Sequence, residues 1–299
     1  MRHLLYIILL VFLISCTNRD KLIDKSELLG NDYRLFQQTP VWNLAKAVQD
    51  ENLKEIKRII VNEKVDINYS EPKYGNTLLI LTVENQHYRS CKTLLELGAD
   101  PNKHNNYNGS SAMIESAGIE NYNEDNTRFL KLLLAYGGNV NDEEIGKRQE
   151  GNSTRRTPLL LACSDVNQFV SPINKVKILV EAGANVNYKN EYNAFPLKEA
   201  LMHDHYDVVL YLLQKGADYS LMLFDRAQFS NDGKKIYTVD LLREKIFPLD
   251  SKKYQQKMEV VAFLKQKDID YRKIPIPDFV IEKAKKMYPN SWQEYLDKY

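Results

Sequence analysis

The sequence predicts an all-α repeat solenoid of helix-turn-helix units, and three observations carry that prediction. A short phrase recurs as Leu97–Asn102 (Leu-Gly-Ala-Asp-Pro-Asn), Tyr136–Asn141 (Tyr-Gly-Gly-Asn-Val-Asn), Ala182–Asn187 (Ala-Gly-Ala-Asn-Val-Asn) and Lys215–Ser220 (Lys-Gly-Ala-Asp-Tyr-Ser). Before each phrase lies a leucine-rich run, at Cys91–Leu97, Phe129–Leu134, Val176–Val180 and Val208–Leu213. A second landmark keeps the same beat at Asn76-Thr77-Leu78-Leu79, Ser110-Ser111-Ala112-Met113, Arg156-Thr157-Pro158-Leu159 and Ala194-Phe195-Pro196-Leu197. Such self-similarity defines an architecture in which each unit packs only on its neighbours, so function belongs on a surface rather than in a central pocket.

The chain opens on Arg2 and His3, followed by an apolar run from Leu4 to Ile14 that closes on Leu13-Ile14-Ser15-Cys16. The run is shorter than the roughly 18 residues that span a membrane, and with its basic start it reads as a signal peptide over 1–15. The Leu-x-Ser-Cys ending resembles the lipobox of bacterial lipoproteins. That resemblance implies cleavage before Cys16, acylation of its sulfur and new amine, and a stable lipid anchor. Thr17, where an Asp would resemble an inner-membrane retention signal, favours the outer membrane. Residues 16–39 are expected to form a polar tether that lets the solenoid stand off the membrane.

The repeat region is expected over 40–271. Gly98, Gly137, Gly183 and Gly216 follow the leucine-rich runs at spacings of 39, 46 and 33 residues, the shortest being the bare unit. A glycine there stops a helix in the left-handed conformation at low steric cost. The following Thr caps the next helix and Pro suits its first position. A small residue, Thr82, Ser116, Ala162 or Ala200, lets neighbouring helices approach. Degenerate copies at Lys64–Asn68 and Lys267–Tyr271, with Lys in place of Gly, bring the units to six. These phrases resemble the ankyrin repeat, whose unit reads Gly-x-Thr-Pro-Leu-His-x-Ala, two helices, and Gly-Ala-Asp-x-Asn. The resemblance covers roughly Trp42 to Tyr271 and implies short β-hairpin fingers which, with the first helices, line a concave binding face. Residues 272–299 are expected to form a C-terminal helical cap, with Asp278 capping a helix to Met287 and Trp292, Tyr295 and Leu296 folding back.

With 41 Lys and Arg against 40 Asp and Glu, the chain lacks the charge excess that nucleic acid demands, and none is expected as a partner. It carries no His-Glu-x-x-His, Gly-x-Ser-x-Gly, phosphate loop or Cys-x-x-Cys, so no cofactor, metal or catalytic group is expected. His203-Asp204-His205 is the one zinc-like cluster, and a metal-dependent hydrolase centred there is the alternative reading. His205 and His87 nevertheless stand at matching distances before Leu212 and Leu94, which places both in interhelical turns. Cys91 and Cys163 are expected to pack as small buried apolar groups.

The expected fingers carry tyrosines and asparagines, a mixture suited to recognition because Tyr offers rigid area and Asn adaptable hydrogen bonds. Tyr69, Tyr74, Tyr107, Asn108, Tyr188, Tyr192 and Asn193 are the candidate protein-binding residues, accompanied by Asn105, Asn106 and Asn190. Insertions at Gly118–Asn126, Asp142–Arg156, Asp165–Asn174 and Asp225–Lys253 interrupt the beat and are expected on one face. The second is a charged finger that reads as a solvated loop. Together these features predict a monomeric, non-catalytic lipoprotein of the bacterial cell envelope that binds a protein in the periplasm or at the outer membrane. An immunity-like inhibitor and a chaperone are its two sharper forms.

Overall fold

The computed structural model describes residues 19–118, 125–146, 155–167, 169–226 and 233–299. Cys16 and the expected signal peptide lie outside them, as do parts of three of the four insertions and Gln168 of the remaining one. Among the described residues, no helix is long and apolar enough to cross a membrane.

Among the described residues six helix pairs follow one another: α1 (Trp42–Gln49) and α2 (Leu53–Arg58), α3 (Leu78–Glu84) and α4 (Tyr88–Glu96), α5 (Ala112–Ala117) and α6 (Arg128–Ala135). The series continues with α7 (Pro158–Cys163) and α8 (Ile173–Glu181), α9 (Pro196–Met202) and α10 (Tyr206–Gln214), α11 (Thr238–Glu244) and α12 (Lys252–Lys265). First helices stack in chain order, each also packed on its own second helix. The expected caps hold at Thr77, Ser111 and Thr157, whose hydroxyls accept from the amides of Ile80, Ile114 and Leu160. Thr82, Ser116, Ala162 and Ala200 are fully buried where first helices meet. One continuous apolar core runs from Leu28 to Tyr271.

The recurring phrase does two jobs. Its glycines have φ between 86° and 97°, the left-handed region that ends the second helix. Its final Asn bridges to the next unit: Asn102 donates to the Gly137 carbonyl at 3.0 Å and accepts from the Asn139 amide at 2.7 Å. Asn141 and Asn187 repeat the pattern against Gly183 and Asn185, and against Gly216 and Asp218. In the last copy the left-handed residue is Asp268 rather than Lys267, because the Ile269 amide, like that of Ala99, reaches back to the helix that ends there.

The expectations for the N-terminal segment and the insertions need correction. Residues 19–39 are no tether: Leu28, Tyr33, Leu35 and Phe36 join the core, and Lys73 donates to the carbonyls of Lys25, Ser26 and Leu28. Arg19 pairs with Asp50 at 2.7 Å, and the Tyr33 hydroxyl meets His87 Nδ1 at 2.9 Å, which straps this segment over the first two repeats. The insertions do not share one face, since Gly118–Asn126 and Asp165–Asn174 leave from interhelical turns and the other two leave from fingers. Nor is Asp225–Lys253 wholly extra chain: it holds the β1 (Phe224–Asp225) to β2 (Lys235–Ile236) hairpin and helix α11, the first helix of the sixth unit.

The cap is α13 (Asp278–Met287) and α14 (Trp292–Lys298), packed on each other over a second cluster of Ile246, Val280, Ala284, Tyr295 and Tyr299. Pro277, not Asp278, occupies the capping position of α13, with Asp278 as its first helical residue.

Candidate functional site

Each finger is organised from within by a buried acceptor. Glu71 takes the amides of Lys73, Tyr74 and Asn76; Asn105 takes those of Tyr107, Asn108 and Gly109; Asn190 takes those of Tyr192 and Ala194. In the third finger the buried Glu144 accepts from the Arg156 amide and guanidinium at 2.7–3.0 Å. That charged finger therefore has a buried ionic base and is not a solvated loop over its described residues. A buried carboxylate needs such partners, because leaving one unpaired is costly.

Neighbouring fingers are stitched through their backbones. The Ile145 and Gly146 amides donate to the carbonyls of Gly109 and Asn108 at 3.1 Å. A Cβ on Gly109 would fall 1.9 Å from the Gly146 nitrogen, so this approach requires glycine. The result is a continuous finger edge across the second and third units.

The structure divides the candidate residues. Tyr69 packs near Phe36, and the Tyr74 hydroxyl donates to the Leu28 carbonyl at 2.9 Å, so the strap covers much of the first finger. The Tyr188 hydroxyl donates to the Arg155 carbonyl at 2.7 Å. Asn193, left-handed at φ 59°, donates to the Met222 and Leu223 carbonyls, and Tyr192 is half-buried. Asn108 is half-buried with its amide toward Glu144 at 3.4 Å. Tyr107 alone among the seven is exposed, at 49 %, edge-on to Tyr74 with ring centroids 5.5 Å apart.

Two large apolar side chains that the periodic pattern does not single out join it: Leu29 of the strap, 73 % exposed, and Ile145 of the third finger, 58 % exposed. Leu29 and Tyr107 line one groove together with Gly30, Tyr74, Glu84, Glu115 and Arg156. The groove continues past Gly30, Glu84 and Glu115 to Gln86 and Gly118. Glu84 and Glu115 carry a legible signal, being carboxylates on first helices that are otherwise largely apolar. Partial desolvation by the surrounding helices, and then the Glu115 charge, push the Glu84 carboxyl up to about 7.

A family model for the ankyrin repeat matches residues 74–106, and one for three ankyrin-repeat copies matches residues 119–222. Over these stretches the chain matches the ankyrin repeat. The crystal structure of EF0377, an ankyrin repeat protein, aligns over 75 % of this chain and 98 % of that one, with a TM-score of 0.50 at 21 % identity, a likeness of fold alone. The human transient receptor potential cation channel subfamily A member 1 is 24 % identical over 63 % of this chain. An ankyrin repeat and KH domain-containing protein of Caenorhabditis briggsae is 26 % identical over 54 % of it. The chain spans only 15 % and 5 % of the lengths of those two proteins.

Within the ankyrin units, His87 and His205 occupy equivalent positions before the second helix. His205 Nε2 lies 2.7 Å from the Asp165 carbonyl, and Asp204 pairs with Lys245 at 2.8 Å, so these side chains are committed to different partners and do not converge on an ion. Among the described residues no group of three His, Cys, Asp or Glu is placed to hold a metal. Cys91 and Cys163 are buried free thiols, and burial pushes Cys91 up to about 12, which makes it a poor nucleophile.

Proposed function

We propose that this protein is a non-catalytic ankyrin-repeat lipoprotein of the bacterial cell envelope, anchored through Cys16, whose finger face holds a partner protein as inhibitor or chaperone. Ankyrin repeats serve generally as protein-binding scaffolds, and the fingers here present a contact surface. The observation that carries the reading is that exposed Leu29 and Tyr107 line one groove across strap and second finger, with exposed Ile145 on the third finger, whose backbone pairs with the second at Gly109. Large apolar side chains gathered on one edge mark an interaction site more than scattered ones do. A specific, stable complex there would bury about 1,200–2,000 Å² in total.

The test is a crosslinked pull-down from the protein's own cell envelopes, comparing wild type with a Leu29→Ser, Tyr107→Ala, Ile145→Ser variant. A stoichiometric partner lost by the variant supports the reading; a partner indifferent to it refutes the site. Assaying the captured protein with and without this chain separates inhibition from stabilisation. Metabolic labelling with palmitate tests the anchor, which Cys16→Ala should abolish together with membrane fractionation.

A further inference from the structure

We infer that the groove between the second and third repeats receives one cationic side chain, an arginine or lysine of the partner. The inference rests on the finger face being a protein-binding surface and adds the chemistry the partner must bring.

The groove offers acceptors. Glu84 at the end of α3 and Glu115 on α5 line both of its adjoining parts, whose volumes are about 510 and 400 Å³. Neither forms an ion pair among the described residues. Asn76 also lines it and is only 3 % exposed. Its Nδ2 donates to the Gly30 carbonyl at 3.0 Å, which sets the orientation of the amide, and its buried Oδ1 has no hydrogen-bond partner. A buried acceptor left without a donor is costly and calls for a partner.

The chain's own cations do not fill this role. Arg156 lines the groove and feels the Glu115 charge, but its guanidinium is held by two hydrogen bonds to Glu144 and forms no ion pair with Glu115 among the described residues. The Lys73 ammonium is consumed by three strap carbonyls. A guanidinium or ammonium carries donors only, the complement of two carboxylates and an amide oxygen. Tyr74 and Tyr107, crossed edge to face, and Leu29 at the mouth supply the apolar wall that the alkyl stem of Arg or Lys needs.

Holding Glu84 beside Glu115 disfavours the charged form of Glu84 in the free protein, and an incoming cation relieves that repulsion. The same groups thus weaken the free fold and strengthen the complex.

The experiment follows the carboxyl carbon resonances of Glu84 and Glu115 while N-acetyl-arginine amide is titrated at pH 7.5. N-acetyl-citrulline amide, of the same shape but neutral, is the control. Saturable shifts with the arginine compound, absent with citrulline and lost in Glu84→Gln and Glu115→Gln, are expected. An equal response to citrulline, a response indifferent to both substitutions, or saturation by calcium chloride in place of arginine would overturn the inference. Both variants remove charge repulsion and should melt no lower than wild type, so loss of binding is not loss of fold.

A second arm selects peptides from a random display library on the immobilised chain. Selected peptides should carry Arg or Lys and bind about tenfold more weakly to the Glu84→Gln, Glu115→Gln variant. Peptides that need Tyr107 but contain no basic residue and ignore the glutamates would sink the cation and spare the finger-face reading. Peptides indifferent to Tyr107 and the glutamates alike would sink both.

Discussion

The groove between the second and third repeats and the C-terminal cap both set charged side chains among tyrosines, with opposite outcomes. Where the cap meets the sixth unit, Arg243 of α11 lies with its guanidinium carbon 4.5 and 5.2 Å from the Tyr271 and Tyr299 ring centroids, and donates to the Tyr299 and Ile274 carbonyls. Buried Lys257 donates to the Lys245 carbonyl at 2.9 Å, with its Nζ 3.8 Å from the Tyr299 ring centroid. Both basic groups there turn their donors to carbonyls inside the molecule. In the groove, Glu84 and Glu115 face open space beside an exposed Tyr107. Residue type does not separate a cap from a binding surface; what separates them is whether the hydrogen-bonding capacity of the charge is already used.

Substitutions can break or sharpen this contrast. The largest effect is expected from Tyr299→Ala, which removes a fully buried ring whose hydroxyl lies 2.6 and 2.9 Å from the Arg243 and Lys245 carbonyls. A loss of roughly 3–5 kcal/mol is expected. Because solenoid units couple only to neighbours, hydrogen exchange should accelerate in α11 to α14 and stay unchanged in the second repeat. Uniform acceleration would show that the cap supports the whole stack.

Next comes Lys257→Met. Burial, and then Arg243, push the Lys257 ammonium down to about 6. The unfolded chain therefore binds a proton that the folded chain refuses between pH 6 and the ordinary lysine range, and wild-type stability should rise with pH across that window. The variant should melt higher than wild type at pH 7, with the gap closing toward pH 10. A gap that does not depend on pH would refute the burial account.

Glu84→Gln acts in the opposite pH sense and more weakly, because Glu84 stands at an open wall. With the folded carboxyl raised to about 7, wild type loses stability as pH climbs from the ordinary carboxylate range to neutrality. The variant should melt above wild type at pH 8 and level with it at pH 4. The smallest effect is expected from Tyr107→Ala, within about 0.5 kcal/mol by denaturant titration, since the ring is half exposed. A larger loss would mean that Tyr107 is a structural prop like Tyr188.

Much of the scaffold was legible in the sequence. The glycine of each phrase, the Thr cap and the small residue at the helix contact act within a few residues of themselves, so local pattern suffices to place them. The strap was not legible, because Leu28 caps one short 3-10 turn and Tyr33, Leu35 and Phe36 sit in another, among polar residues and with no helical period. Sequence pattern groups the finger tyrosines as one set, yet Tyr74 and Tyr188 spend their hydroxyls on carbonyls 46 and 33 residues away. Local pattern does not encode that expenditure.

By itself the sequence determined the number and order of the units, where the second helices stop at the repeated glycines, and which small residues meet, because these follow from chain sterics and apolar period. Only the tertiary structure decided which tyrosines remain free and which carboxylates go unpaired. Those outcomes depend on partners a whole repeat away, and stacking, strap and insertions together set which groups meet there.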